Sequence, residues 1–84
     1  MVLILWQYEQ CAHSNVVRQV LTNLSLDVVL INIEHDDDPK WDYLEKHSSG
    51  IRQVPFLMDT GKLRDVQGLK SIVDYLAENY SKKI

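Results

Sequence analysis

Eighty-four residues, 45% hydrophobic and 25% charged, are enough chain for one small domain, which buries only about 60% of the surface its unfolded form exposes and has no room for a large cavity. Nine Lys and Arg against twelve Asp and Glu exclude a nucleic-acid binder built on a basic face, and the apolar runs Val2–Trp6 and Val28–Ile31 fall far short of the ~20 residues of a membrane-spanning helix. The one cysteine, Cys11, forbids an internal disulfide or a Cys-rich zinc site, and with no cationic leader ahead of an apolar segment a cytoplasmic protein is expected.

Val2-Leu3-Ile4-Leu5-Trp6 is continuously apolar and branched, as in a central strand buried on both faces. The polar stretch Gln7–Gln10 reads as a loop. After Cys11, Val16, Val17, Val20, Leu21 and Leu24 fall at helical spacing, and Asn23-Leu24-Ser25 ends that amphipathic helix. Asp27–Ile33, β-branched and apolar in its middle, predicts a second strand and completes a βαβ unit. The acidic run Glu34-His35-Asp36-Asp37-Asp38-Pro39 reads as helix capping and solvation, with a divalent-metal cluster as the lesser alternative.

A second helix is predicted from about Lys40 to about Lys46, with Trp41 and Leu44 facing the core, ended by His47-Ser48-Ser49-Gly50. Val54–Met58 predicts a third strand, Asp59–Lys62 a hairpin turn, and Leu63–Val66 a fourth strand that must run antiparallel to the third. Leu69, Ile72, Val73, Leu76 and Tyr80 then share one face of a closing helix, whose negative end suits Lys82 and Lys83. The order is βαβαββα in one domain spanning 1–84. Trp6, Phe56 and Tyr75 are expected in its core.

Cys11 stands where the first strand hands over to a helix. A sulfur at a helix N-terminus meets unsatisfied N–H groups and the positive end of the helix dipole, and both favour thiolate over thiol. Ala12-His13-Ser14 adds an imidazole and a hydroxyl within one turn, either of which could further hold the sulfur. The ordinary reading of His13 is a solvated side chain, and that of Ser14 an N-cap.

Leu5-Trp6-Gln7-Tyr8-Glu9-Gln10-Cys11-Ala12-His13-Ser14, Arg52-Gln53-Val54-Pro55-Phe56-Leu57 and Ile72-Val73-Asp74-Tyr75-Leu76, in that order, resemble the thioredoxin fold in its shorter glutaredoxin form. The similarity is closest to the glutaredoxin-like domains that also form the N-terminal part of glutathione S-transferases. It implies an α/β fold with a four-stranded mixed sheet flanked by helices, and a cis Val54–Pro55 bond that sets the Val54 backbone against the cysteinyl part of glutathione. Without it, Pro55 reads as the first residue of an edge strand.

The resemblance also implies that Arg52 and Gln53 meet the glycyl carboxylate, a task suited to the planar fork of Arg. The loop beginning Gln67-Gly68 would carry the γ-glutamyl end, with Tyr8, His13 and Ser14 completing the glutathione contacts. Leu69 and Lys70 depart from the family's polar or acidic pattern, and Tyr8 stands where many glutaredoxins have a Lys. Trp41 and Tyr43 sit on the helix bordering the glycyl end.

With Ser14 in place of a resolving cysteine, dithiol chemistry is excluded and a monothiol route remains, in which Cys11 takes glutathione from mixed disulfides. Its expected partners are glutathione and glutathionylated proteins or small disulfides, with the chain a monomer or weak homodimer. Alternatives are a glutathione-anchored [2Fe-2S] carrier or sensor, whose four thiolates would require a dimer and external thiols, and a non-catalytic glutathione- or protein-binding module. A full transferase ranks lower, because the family's helical domain builds most of the electrophile site.

Overall fold

The computed structural model describes residues 2–8, 10–33, 38–48, 50 and 52–80. Seven elements follow one another: β1 (Leu3–Gln7), α1 (Ala12–Asn23), β2 (Val29–Asn32), α2 (Lys40–His47), β3 (Phe56–Asp59), β4 (Arg64–Gln67) and α3 (Leu69–Tyr80). The strands form a mixed sheet in the order β2-β1-β3-β4. β1 runs parallel to β2 and antiparallel to β3, and β4 runs antiparallel to β3. This is the expected thioredoxin-like arrangement, with α1 crossing between the parallel pair.

Side chains alternate across the sheet, so the two inner strands feed two apolar layers. Leu3, Leu5, Leu57 and Val66 meet Val17 and Leu21 of α1 and Ile72, Tyr75 and Leu76 of α3. Trp6, Phe56 and Met58 meet Ile33 and the α2 residues Trp41 and Leu44 on the opposite face. Burial on both faces is why β1 and β3 are apolar without alternation.

The departures from the sequence reading have local causes. β1 continues through Gln7, which is fully buried although its polarity marks it as loop. β2 is shorter than Asp27–Ile33, and its Val29 and Leu30 are exposed, because an edge strand has one neighbour and needs less cover. Val16 of α1 also faces solvent, since the buried stripe runs Ser14, Val17, Leu21. β3 begins only after the Val54–Pro55 bond and, lying inside the sheet, removes the edge-strand reading of Pro55.

The hairpin turn occupies Thr60–Leu63, and Leu63 belongs to it rather than to β4. Thr60 ties the turn to the chain start: its hydroxyl accepts from Val2 N at 3.0 Å and donates to Val2 O at 2.9 Å. Of the acidic run, Asp38 behaves as a cap, its Oδ1 accepting from Lys40 N at 2.9 Å. Glu34–Asp37, like Lys82 and Lys83, lie outside the described residues. Among those described, no helix is long and apolar enough to cross a membrane.

Candidate active site

Strand register gathers the site. Trp6 pairs with Phe56, Phe56 with Gln67, and Gln7 with Asn32, so the ends of β1, β2 and β4 and the start of β3 share one edge of the sheet. The segments leaving that edge carry Tyr8, Cys11, Val54, Pro55 and Gly68. In open α/β sheets such an edge, beyond the carboxyl ends of parallel strands, is where ligands bind.

Cys11 is the N-cap residue of α1, in extended conformation, and is half-buried. Its N–H donates to Tyr8 O at 3.2 Å and its carbonyl accepts from Asn15 N at 3.0 Å, which anchor the turn. Burial opposes ionisation of the thiol. It is outweighed by the Ser14 hydroxyl, the Ser14 and His13 N–H groups and the Tyr8 hydroxyl, which together hold the thiol below its ordinary range. No side-chain hydrogen bond caps the first turn of α1.

The Val54–Pro55 bond is cis. Pro55 is buried, Val54 half-buried and Gln53 exposed. The neighbouring loop is fastened to this segment twice: Gln67 Nε2 donates to Gln53 O at 3.1 Å, and Gly68 N donates to Pro55 O at 3.0 Å. Gly68 has φ +95° with open space where a Cβ would stand, so backbone conformation, not crowding, calls for glycine. Gln67 also lines a polar cleft of about 450 Å³ between β4 and α3.

The remaining expected site residues divide. His13 is exposed on the first turn of α1. Ser14, expected on the ligand, has no exposed surface. Arg52, expected on a glycyl carboxylate, donates from Nε to Glu45 Oε2 at 2.5 Å with its guanidinium 5.3 Å from the Trp41 ring centroid. That holds its cation beside α2. Trp41 is buried, whereas Tyr43 is half exposed and stacks on Trp6, centroids 5.3 Å apart. No group of three or more His, Cys, Asp or Glu side chains gathers into a metal site among the described residues.

Sequence reasoning missed a polar network behind the cysteine helix. Gln7 donates from Nε2 to Asn32 Oδ1 at 2.7 Å and accepts from Arg18 Nη1, while Arg18 also reaches Asn15 Oδ1 at 3.3 Å. Lys40 Nζ donates to Asn32 O at 2.6 Å. β1, β2, α1 and α2 are thereby tied together. Only the strand register, which puts Gln7 opposite Asn32, could have announced it.

A cysteine at a helix N-terminus and a cis X-Pro bond ahead of an inner strand, on one edge of a βαβαββα sheet, define a thioredoxin-like domain. Residues 5–83 match the glutathione S-transferase N-terminal domain, and the chain belongs to that family. Similar solved structures include a Tau class glutathione S-transferase from mango, Mangifera indica, with TM-score 0.80, 22% identity, and 95% of this chain on 34% of that one. A glutathione transferase homolog from Drosophila mojavensis, solved with bound glutathione, gives TM-score 0.74 and 22% identity over 96% of this chain and 36% of that one. A possible glutathione S-transferase from Rhodopseudomonas palustris gives TM-score 0.71 and 27% identity over 96% and 42%. The chain thus spans little more than a third of the length of these proteins. No curated protein sequence was matched.

Proposed function

We propose that this domain binds glutathione along the Val54–Pro55 edge and uses Cys11 as a monothiol oxidoreductase that removes glutathione from mixed disulfides in a reducing compartment, the cytoplasm. The observation that carries the reading is the half-buried Cys11, its thiol held below the ordinary range at the start of α1, on the sheet edge that presents Val54. Glutathione would pair its cysteinyl backbone with Val54. Gln53, Gln67 and Gly68 would flank it, Tyr8 and His13 would border the sulfur, and Arg52 would supply positive charge toward the glycyl end.

The reaction has two exchanges. The Cys11 thiolate attacks the glutathionyl sulfur of R–S–SG, the S–S bond breaks, and its electron pair leaves on RS⁻, giving Cys11–S–SG. A glutathione thiolate then attacks that glutathionyl sulfur, releasing oxidised glutathione and restoring the Cys11 thiolate. With one cysteine in the chain, no internal thiol competes for the intermediate.

The test is release of the thiol from a glutathionylated peptide under excess reduced glutathione, comparing the protein with Cys11→Ser. Loss of the rate above background in Cys11→Ser is expected, and equal rates would remove the reading. Family membership favours one second reading, transfer of glutathione to an electrophile. It predicts the reverse pattern: conjugation that survives Cys11→Ser, with no thiol release by the unaltered protein.

A further inference from the structure

The first turn of α1 holds a polar group that its secondary structure does not require. Ser14 is fully buried, and its Oγ has no hydrogen-bond partner of full geometry among the described residues. A buried hydroxyl without an acceptor is disfavoured. With Cys11 as N-cap and Ala12 as the first helical residue, Ser14 is the third. From there side chains reach back to the N-cap, as the Glu or Gln of a capping box does.

We infer that Ser14 is a positioning residue for Cys11, its buried hydroxyl donating to the sulfur when that atom carries negative charge as nucleophile and as leaving group. The Ser14 hydroxyl is foremost among the groups that draw the Cys11 thiol downward against burial. The role follows the two exchanges, and in that respect it rests on the proposed function. In the first, the hydroxyl holds the thiolate in one orientation. In the second, glutathione attacks the glutathionyl sulfur, the S–S bond breaks, and the electron pair returns to the Cys11 sulfur, where the same O–H receives it. A leaving thiolate stabilised in this way departs faster. The hydroxyl enlarges the thiolate fraction for the first exchange and eases departure in the second, and at this position it cannot itself attack the mixed disulfide, so it does not divert the intermediate.

The experiment is the pH dependence of Cys11 alkylation by iodoacetamide, with thermal melting as the check on folding. The single cysteine makes the signal unambiguous. Ser14→Ala is expected to move the midpoint upward by about one pH unit, the scale of one hydrogen bond to a charged group, and to slow alkylation at neutral pH severalfold. Ser14→Thr, which keeps the hydroxyl, is expected to stay near the unaltered protein. If Ser14→Ala melts too low to measure, Ser14→Thr against Ser14→Val isolates the hydroxyl at constant shape.

A folded Ser14→Ala or Ser14→Val with an unmoved midpoint would overturn the inference. So would a Thr variant that titrates like its hydroxyl-free counterpart. The readout needs no glutathione, so the two claims fail separately. A moved midpoint in a protein that releases no thiol from a glutathionylated peptide keeps the role of Ser14 and removes the glutathione reading, whereas release with an unmoved midpoint does the opposite.

Discussion

Leu63 holds φ +54° at the end of the β3–β4 turn with its side chain almost wholly in solvent. A branched residue in the left-handed region is strained, and its apolar surface gains nothing from packing. Leu63→Gly should therefore stabilise the domain by about 0.5 to 1 kcal/mol, read as a higher denaturation midpoint. Asp59 is the opposite case, a buried carboxylate fully employed. It accepts from the Tyr75 hydroxyl at 2.8 Å and the Tyr80 hydroxyl at 2.5 Å, and from Lys62 N at 3.3 Å. Burial pushes its carboxyl up, but those donors outweigh it and hold the group below the usual carboxylate range. Burial and the Asp59 charge push Tyr75 up to about 12 and raise Tyr80 as well. The depressed Asp59 contributes stability present above about pH 4 and lost as pH falls through its folded value. The raised tyrosines contribute stability present below about pH 10 and lost as pH climbs toward their folded values. Asp59→Asn should cost about 2 kcal/mol at neutral pH and flatten the acid limb of a stability–pH curve; an unchanged acid limb would contradict the assignment.

Elements are held to one another by polar links as well as by apolar layers. Gln7, buried between Asn32 of β2 and Arg18 of α1, joins the parallel pair to the helix that begins at Cys11. Gln7→Ala leaves two partners short of a bond and opens a void, so a loss of about 2 kcal/mol in chemical denaturation is expected. Element existence and order were legible in the sequence because β1, β3 and the helical stripes of α1 and α3 obey the periodicity that their burial demands. Boundaries were less so. Gln7, polar but buried, hides the end of β1, and Leu63, apolar but exposed, counterfeits the start of β4. Val29 and Leu30 lie in the apolar middle of the predicted second strand yet are exposed on an edge strand. The site was legible where chain junctions define it, at Cys11, Val54–Pro55 and Gln67-Gly68. It was not legible where a side chain's role depends on its spatial neighbour: Arg52 beside Glu45 and Trp41, or Ser14 turned inward, since a serine at a helix start reads as a cap whether or not it is buried.

For the molecule as a whole, two thin apolar layers share one sheet, and Leu57 lies at 0% exposure on an inner strand, packed in the layer that α1 and α3 cover. Leu57→Ala should cost about 2 to 5 kcal/mol, a large fraction of the ~5 to 15 kcal/mol that stabilises a typical domain, and should show as a sharply lower melting midpoint. The same sheet delivers every element of the proposed site to one edge, where Cys11 is half-buried. The central claim is that this edge turns Cys11 into a nucleophile for glutathione mixed disulfides. Its most direct test is intact mass spectrometry after mixing the protein with one equivalent of a glutathionylated peptide. The account predicts one glutathione adduct per chain, on Cys11, appearing as free peptide thiol is released and disappearing when reduced glutathione is added. Peptide captured on Cys11 in place of glutathione, or no adduct while Cys11 still alkylates readily, would contradict it.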